Sequence, residues 1–353
     1  MNSTISNLLA TWYNQNKRDL PWRKTKNPYT IWISEIILQQ TRVDQGHSYF
    51  NRFIEKFPDV KALADADEES VLKIWQGLGY YSRARNLHTA AKDIMIRFNG
   101  KFPTEYKDII SLKGIGEYTA AAISSISFKQ PYAVVDGNVF RVISRLFAIS
   151  DPIDTGKGKK LFTAIAQDIL DNKNPGRHNQ AIMELGALQC IPIKPDCSVC
   201  PLKSLCLAYA TNCISKYPVK QGKVTVKSRY FNYFDIRQNG YTYMSKRTGN
   251  DIWKNLYELP LIETTEDASL EELLDSDRFK QLFGEYIKLV LIPMAQAKHI
   301  LSHRIIHARF YRIELPEDTI LDSTFLKVKA DTILDYAVSR LVAKYFEDHC
   351  LNL

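Results

Sequence analysis

The pattern of apolar and polar positions divides the chain into two parts. Over residues 1 to about 210, apolar residues recur at helical spacing, as at Ile5, Leu9 and Trp12, and the turns between these segments are short. This part is therefore predicted to be all helical. The clearest predicted helices are 117–128, 139–147 and a segment that takes Thr104 as its N-cap and ends near Leu112.

The pattern changes after residue 210. Residues 211–223 hold Pro218 and Gly222 and predict a linker, and from Val224 onward β-branched and aromatic residues dominate. Asn239-Gly240, between FDIRQ and YTYMS, is a strong signal for a β-hairpin. Together with a helix at 269–274, strands at 286–292 and 304–313, and a terminal helix in 331–347, this pattern predicts an α+β domain. The predicted division of the chain is a helical domain at 1–210, a linker at 211–223 and the α+β domain at 224–353.

Composition and charge narrow the class of protein. A chain of 353 residues with 45% hydrophobic residues can bury a full core, and its length fits two domains. No apolar run reaches the roughly 20 residues needed to cross a bilayer, and the N-terminus lacks the features of a secretion signal. We therefore expect a cytoplasmic, nucleoid-associated protein without a membrane partner. The formal net charge of +8 favours an anionic partner such as nucleic acid, although charge alone decides little.

Four of the six cysteines, Cys190, Cys197, Cys200 and Cys206, lie within one short window. Disulfides are not favoured, because nothing in the N-terminus indicates an oxidising compartment. A zinc ion suits four thiolates, but structural zinc sites usually bring two short-spaced pairs, and this window has a single C-x-x-C pair. An iron–sulfur cluster tolerates the uneven spacing, since its irons spread the ligands apart. We favour a [4Fe–4S] cluster, with zinc as the alternative.

The segment LKGIGEYTA links two predicted helices through Gly114-Ile115-Gly116. Two glycines one residue apart let the turn take positive φ and leave backbone N–H groups bare at the start of the next helix. Exposed amides and the helix dipole together form a phosphate site. Asp136 and Asn138 follow in AVVDGNVFRV, where either residue could be a helix cap. An acid just beyond a phosphate-binding hairpin also stands where a sugar would lie.

Glu35 lies in the run IWISEIIL, which is apolar at most positions. On a helix its neighbours at i−4, i−3 and i+3 are Ile31, Trp32 and Leu38, so the carboxyl has mostly hydrocarbon around it. Desolvation would raise its pKa towards neutrality, which suits a general acid. The alternative from the sequence alone is a glutamate that forms a salt bridge elsewhere.

The three motifs LKGIG, VVDGN and C-x6-C-x2-C-x5-C, in this order, resemble the helix–hairpin–helix DNA glycosylases related to endonuclease III. Within that superfamily, four further segments look like the adenine DNA glycosylase family of the MutY type, whose members remove adenine mispaired with 8-oxoguanine. The resemblance is dense over residues 8–210 and thinner beyond 220. The four segments are LPWR (20–23), SEIILQQT (34–41), GLGYYSRARNL (77–87) and NQAIMELGALQC (179–190).

The resemblance implies roles for several residues of this sequence. It puts the general acid at Glu35, which would protonate adenine at N7, and makes Asp136 the carboxylate that stabilises the oxocarbenium sugar. Asn138 would orient Asp136, and Tyr118 would bring its hydroxyl near the reacting centre. Bifunctional relatives carry a lysine in place of Tyr118, and a phenol cannot form the imine that a lysine forms. We therefore expect a monofunctional glycosylase.

An adenine inside duplex DNA must be flipped out before an enzyme can act on it. By resemblance, Gln40 and Tyr80 enter the stack around the opposite base, and Gln39 and Arg23 line the adenine pocket. The simpler alternatives are a surface amide for either glutamine, a core position for Tyr80 and a phosphate contact for Arg23.

Residues 224–345 resemble the Nudix-like recognition domain that such enzymes carry, through WKNLYELP (253–260) and HILSHRI (299–305). The sequence departs from the family pattern at Lys254 and Asn255, which replace glycines, and at Leu301, which replaces a phenylalanine. Ser302 and His303 are retained as the expected contacts to 8-oxoguanine. The sequence lacks a hydrolytic Nudix signature, so nucleotide hydrolysis is not expected.

The sequence therefore predicts a monomeric enzyme that excises adenine opposite 8-oxoguanine or guanine in duplex DNA. A bifunctional pyrimidine-lesion glycosylase is one alternative, opposed by Tyr118 and by the second domain. A non-catalytic, redox-responsive DNA-binding protein is another, opposed by Glu35 and Asp136, because a pure binder needs neither acid. A metal site at histidines 299, 303 and 307 is not expected, since that spacing does not converge on loop and strand. The sequence does not identify a protein partner.

Overall fold

In the computed structural model, which describes residues 2–222, 225–283, 291–317, 319, 321 and 324–349, the chain folds into two compact units. The first unit is Met1–Asp65 with Asn86–Lys223, and the second is Ala66–Arg85 with Val224–Leu353. The predicted fold class, a helical domain followed by an α+β domain, is confirmed. No helix in the described ranges is both long and apolar enough to cross a membrane.

The chain up to residue 210 is helical, with short turns between the helices. Single 3-10 turns at Pro21–Arg23, Cys197–Val199, Lys203–Leu205 and Ile214–Lys216 complete this part of the chain. The helices are α1 (Asn2–Asn16), α2 (Pro28–Leu38), α3 (Val43–Lys56), α4 (Val60–Asp65), α5 (Glu68–Trp75), α6 (Ser82–Arg97), α7 (Tyr106–Ser111), α8 (Glu117–Phe128), α9 (Gly137–Leu146), α10 (Gly156–Asp168), α11 (Pro175–Leu188) and α12 (Leu207–Ala210).

Local sequence signals account for where the central helices begin. α2 starts at Pro28, whose fixed φ suits the first helical position, and the Asn27 side chain accepts hydrogen bonds from the next two free N–H groups. The predicted bounds of α8 are confirmed at both ends. Thr104 as an N-cap is wrong, because α7 starts later and is preceded by Glu105, whose side chain makes no capping bond.

The second unit is built on one sheet. Its strands run in the order β3-β2-β1-β6-β5, with β4 paired to β1 and β7 paired to β2. β1 and β6 are parallel, with Lys227 opposite Arg304, and the other strand pairs are antiparallel. The elements are β1 (Lys227–Gln238), β2 (Tyr241–Lys246), β3 (Tyr257–Glu258), β4 (Leu261–Thr264), α13 (Leu270–Asp275), α14 (Asp277–Phe283), β5 (Leu291–Ile300), β6 (Arg304–Glu314), β7 (Leu326–Lys329), a 3-10 helix (Ala330–Asp335) and α15 (Arg340–His349).

Both faces of this sheet are covered. On one face, Phe234 and Ile313 pack in a core with Phe279 and Phe283 of α14. On the other face, Phe310 stacks on Tyr345 of α15 with ring centroids 4.2 Å apart. Two layers of helix around one sheet bury the apolar side chains of alternate strand positions.

Residues 66–85 belong to the second unit through specific hydrogen bonds. Tyr257 Oη donates to Glu69 Oε2 at 3.1 Å, and Arg85 Nη1 donates to the carbonyl of Lys254 at 2.9 Å. The backbone N–H of Val338 donates to Gln76 Oε1 at 3.3 Å. These partners are far apart in sequence, so no local pattern indicates them.

Most predicted elements of the second unit are present. The Asn239-Gly240 hairpin is confirmed, and both residues have the positive φ that a tight two-residue turn requires. The predicted helix near Ser269 is also confirmed, since Ser269 caps α13 in a complete capping box. The terminal helix predicted in 331–347 is present as α15 but begins later, because a 3-10 helix and a short extended link precede it. Of the predicted strand 286–292, residues 286–290 lie outside the described residues.

Candidate active site

The turn between α7 and α8 presents bare amides at the start of a helix. Gly114 has φ +81°, and a Cβ there would lie 2.6 Å from Cβ of Asn86, so this position requires glycine. The expected positive φ of the turn is thus present at Gly114, whereas Gly116 is the extended N-cap of α8, with φ −98°. It has no side chain to cap the helix, and open space lies where its Cβ would be. The first N–H groups of α8 are therefore open to an anion.

Glu35 lies on α2 among apolar neighbours and is 8% exposed. Tyr118, on the first turn of α8, donates its hydroxyl hydrogen bond to Glu35 Oε2 at 2.7 Å. Burial raises the pKa of Glu35 to about 7, and the hydrogen bond from Tyr118 only partly offsets this. Glu35 can therefore hold a proton at neutral pH and release it to a base.

Asp136 is the N-cap of α9, and its carboxylate is held at both oxygens. The N–H of Val139 donates to Oδ1 at 2.8 Å, and the amide of Asn138 donates to Oδ2 at 2.8 Å. Burial raises the pKa of Asp136, while these two hydrogen bonds favour its charged form. The charge of Asp136 also raises the pKa of Glu35, so the two carboxyls act on each other.

Arg141 is a residue that the sequence did not single out. One turn after Asn138 on α9, it donates to Asn138 Oδ1 at 2.9 Å and to the carbonyl of Cys190 at 2.7 Å. Its guanidinium thus orients the amide that holds Asp136 and joins it to the first of the four clustered cysteines. The only sequence signal was its position three residues after Asn138, on the same helical face.

Asn179 fixes the extended segment that leads to Asp136. Its amide donates to Ser125 Oγ at 2.9 Å and to the carbonyl of Tyr132 at 2.8 Å, and its oxygen accepts from the N–H of Val134 at 3.1 Å. Asn179 is almost fully buried, so these bonds replace water for the backbone of that segment.

Arg23 lies near Glu35 and is held there by an ion pair with another carboxylate, which the sequence did not reveal. Glu184 of α11 accepts from Arg23 at 2.6 and 2.7 Å and also from Arg18. Burial alone would raise the pKa of Glu184, but the hydrogen bonds from Arg23 and Arg18 hold it at about 2. Arg23 also lowers the pKa of Glu35, so it lies close enough to affect that carboxyl.

Gln39 makes a long hydrogen bond of 3.4 Å to Thr119 of α8.

The four clustered cysteines line one small cavity of about 30 Å³. The buried Arg145 also lines it and donates to Cys190 Sγ at 3.4 Å and to the carbonyl of Ile191 at 2.8 Å. Within the described residues, no three His, Cys, Asp or Glu side chains are arranged to hold a single metal ion. Four thiols around one cavity beside a buried cation suit an anionic metal–thiolate group.

The predicted recognition residues come together in the second unit. Residues Leu301–Arg304 form the turn between β5 and β6, here named the recognition turn, which the Leu301 N–H closes by donating to the carbonyl of Arg304 at 2.8 Å. Ser302 and His303 are exposed on it, and the hydroxyls of Ser302 and Tyr80 are hydrogen bonded to each other. A cavity of about 450 Å³ lies beside the turn, with Trp253 among its walls.

Gln40 and Tyr80 both have backbone conformations that side-chain-bearing residues rarely adopt. Their φ angles are +58° and +45°, respectively. Gln40 belongs to the first unit and lies two residues after the end of α2, whereas Tyr80 belongs to the second unit. Strained backbone of this kind is common where a side chain must project into a ligand.

Two family descriptions match the chain. Residues 33–167 match the HhH-GPD superfamily of base excision DNA repair proteins, and residues 232–348 match the NUDIX domain. A solved structure of a thermostable thymine-DNA glycosylase superposes with a TM-score of 0.56 at 28% identity, covering 60% of this chain and 97% of that one. The fold and the paired carboxyls therefore define a DNA glycosylase, an enzyme of base excision repair.

Comparison with individual relatives specifies the family further. The chain is 37% identical over 316 residues to an adenine DNA glycosylase of Buchnera aphidicola from Acyrthosiphon pisum, covering 88% of this chain and 87% of that protein. It is 45% identical over 214 residues to the adenine DNA glycosylase of Mus musculus, covering 58% of this chain and 41% of that protein. The chain belongs to the adenine DNA glycosylase family.

Proposed function

We propose that this enzyme is a monofunctional glycosylase that excises adenine opposite 8-oxoguanine or guanine in duplex DNA. The observation that carries the proposal is the buried Glu35, whose pKa of about 7 keeps a proton available beside a second held carboxylate. Adenine is a poor leaving group as an anion, so it needs that proton before it can depart.

In the proposed mechanism the two carboxyls have different tasks. Glu35 gives its proton to N7 of the flipped adenine, and the bond between C1′ and N9 breaks with its electron pair moving to the base. Asp136, held charged by Asn138 and the Val139 N–H, stabilises the cationic sugar. Water then adds its hydroxyl to C1′, and its remaining proton returns to a carboxylate. Neutral adenine and an abasic site are the products.

Tyr118 supports the monofunctional assignment. Its hydroxyl is committed to Glu35, and a phenol has no amine to attack the sugar as a Schiff base. Arg23 and Gln39 would line the adenine pocket. Gly114 and Gly116 would hold the DNA backbone through the bare amides at the start of α8.

We propose that Cys190, Cys197, Cys200 and Cys206 hold a [4Fe–4S] cluster. Their common cavity and the nearby Arg145 guanidinium support this ligand set. The cluster would shape the loop that it binds and would take no part in bond cleavage. The purified protein should absorb near ~400 nm and contain about four irons per chain. Stoichiometric zinc without iron after anaerobic purification would contradict this assignment.

The base opposite adenine would be read by the recognition turn together with Tyr80. By resemblance, Gln40 would also enter the stack of the DNA. 8-Oxoguanine differs from guanine by an oxygen at C8 and a hydrogen on N7, and the hydroxyl of Ser302 or a nitrogen of His303 could accept a bond from that N7–H. One contact of this type is worth roughly 1–3 kcal/mol of discrimination.

One assay tests the proposed function. Duplexes carrying adenine opposite 8-oxoguanine, adenine opposite guanine, or thymine glycol are incubated with the enzyme, and strand breaks are compared with and without alkali. We expect adenine release from the first two duplexes and strand breaks only after alkali. Breaks without alkali, or covalent trapping of the wild-type enzyme by borohydride, would favour a bifunctional pyrimidine-lesion enzyme. Binding without base release would favour a non-catalytic DNA-binding protein.

A further inference from the structure

The carboxylate of Asp251 accepts hydrogen bonds from three arginines. Arg229 and Arg304 donate to Oδ1 at 3.0 and 3.2 Å, and Arg247 donates to Oδ2 at 3.0 Å. A second Arg229 nitrogen lies 2.6 Å from Oδ2. Each oxygen of this one carboxylate is therefore shared by two guanidinium groups.

The three arginines come from different parts of the second unit. Arg229 lies on β1, Arg247 directly follows β2, and Arg304 is the first residue of β6 and the last of the recognition turn. Asp251 itself lies in the loop between β2 and β3. One carboxylate thus connects that loop to the central strand and to the turn that carries Ser302.

Two of these three ion pairs are sheltered from solvent, and the third is more open. The side chains of Arg229 and Arg247 are 15% and 13% exposed and that of Asp251 is 29% exposed, whereas that of Arg304 is 42% exposed. Although burial alone would raise the pKa of Asp251, hydrogen bonds from Arg229 and the Ile252 N–H, with the charges of the arginines, hold it at about 2. Asp251 is therefore charged at every pH at which the enzyme works.

The recognition turn needs such a connection because its tip is exposed. Ser302 and His303 both lie at the surface, and two backbone bonds hold the turn, from the Leu301 N–H to the carbonyl of Arg304 at 2.8 Å and from the Lys227 N–H to the carbonyl of His303 at 3.1 Å. In the described part of the chain, the salt bridge to Asp251 is the one that anchors Arg304. A side chain that must discriminate between two bases has to be held within a fraction of an ångström.

We propose that Asp251 is a positioning residue for base discrimination, which acts through Arg304 to hold the Ser302 hydroxyl in place. This inference rests on the proposed function of the recognition turn. Asp251 would contact neither the adenine nor the reacting sugar. Its loss should therefore lower the preference for adenine opposite 8-oxoguanine over adenine opposite guanine, while chemistry at Glu35 continues.

The test measures single-turnover excision of adenine opposite 8-oxoguanine and opposite guanine by the full-length enzyme. The ratio of the two rates is compared for wild type, Asp251→Ala, Arg304→Ala and the double variant. We expect each single variant to lower the ratio by about three- to tenfold, and the double variant to lower it no further, because both remove one interaction. Arg304→Lys keeps a cation opposite Asp251 and should retain most of the ratio.

Glu263→Ala is the matched control. Glu263 is the other carboxylate on Arg229, so its removal also leaves Arg229 with one acidic partner, but it does not contact Arg304. In Glu263→Ala, the ratio of the two excision rates should stay within about twofold of wild type. An equal loss in Glu263→Ala and Asp251→Ala would mean general loosening of the sheet and would overturn the inference.

A further variant, Ser302→Ala, distinguishes the positioning role of Asp251 from the recognition role of the turn. If Ser302→Ala lowers the ratio but Asp251→Ala and Arg304→Ala leave it unchanged, the positioning role is wrong and the recognition role stands. If Ser302→Ala also leaves the ratio unchanged, the proposed function of the turn fails, and the inference fails with it. Should Asp251→Ala not fold, as judged by circular dichroism, the contrast between Arg304→Ala and Arg304→Lys decides the question alone.

Discussion

The two proposed tasks of this enzyme are excision of adenine and recognition of the opposite base, and their residues lie in opposite kinds of environment. In the first unit, Glu35 is buried and Asp136 is partly buried, and desolvation raises the pKa of both. In the second unit, Ser302 and His303 are exposed on a turn, and the last residue of that turn, Arg304, is paired with Asp251. Chemistry uses desolvation to change what a carboxyl can do, whereas recognition depends on where exposed polar groups are held.

This comparison indicates how each site should fail. A change at the buried site removes a proton or a charge that no neighbour can replace, so the rate should fall on every substrate. A change at the exposed turn removes one hydrogen bond or one support, so it should change the ratio between substrates. The predictions below begin with the largest expected effect.

Glu35→Gln should slow adenine excision by about 10²- to 10⁴-fold, because the amide keeps the shape of the acid but cannot supply its proton. Asp136→Asn should be similarly severe. Binding to the mismatch should persist in both variants, as measured by fluorescence anisotropy alongside single-turnover rates. Glu55→Gln, at an exposed position on α3, is the matched control and should leave the rate unchanged. A Glu35→Gln rate within about threefold of wild type would contradict the two-carboxyl mechanism.

The pH dependence of excision should follow the raised pKa of Glu35. The acid is active only while protonated, so kcat/KM should be high below about pH 7 and fall about tenfold per pH unit above it. At low pH, kcat/KM should fall because Asp136 becomes protonated and loses the charge that stabilises the sugar. The profile from about pH 5 to about pH 9 measures both limbs. A rate that stays flat through neutral pH would show that Glu35 is not the proton donor.

The two hairpin glycines should respond differently to substitution. Gly114→Ala should destabilise the fold by about 1 kcal/mol or more, because φ is +81° and the new Cβ would meet Asn86.

Gly116→Ser should raise stability by a few tenths of a kcal/mol, since serine caps helices well and open space lies there. The serine hydroxyl would also accept a hydrogen bond from a backbone N–H that is proposed to bind phosphate, so DNA affinity should fall by a few fold. Thermal unfolding and titration with DNA check the two effects, and stronger DNA binding by Gly116→Ser would contradict the phosphate site.

Local sequence signals predicted much of the fold. The bounds of α8, the turn at Asn239-Gly240 and the helix near Ser269 depend on a few adjacent residues, and each was predicted correctly. The terminal helix was overextended because its apolar pattern continues through a 3-10 helix and an extended link. The grouping of residues 66–85 with the second unit rests on long-range hydrogen bonds, which a pattern of neighbours does not contain.

The candidate site divides in the same way. The apolar neighbours of Glu35 made its burial visible in the sequence, and the structure gives the shift of its pKa in the expected direction. Arg141, Asn179 and Glu184 were missed, because each acts on residues on another element or on the backbone. Such contacts exist only once the helices have packed. The roles assigned to the site residues remain predictions until they are tested.

The most direct test of this account measures the excision rates of Glu35→Gln and Ser302→Ala on two duplexes. One duplex carries adenine opposite 8-oxoguanine, and the other carries adenine opposite guanine. We expect Glu35→Gln to lower both rates by a similar factor and leave their ratio near the wild-type value. Ser302→Ala should lower the ratio by about 5- to 100-fold and leave excision opposite guanine nearly unchanged. Equal slowing of both duplexes by Ser302→Ala, or a changed ratio in Glu35→Gln, would contradict the separation of chemistry from recognition.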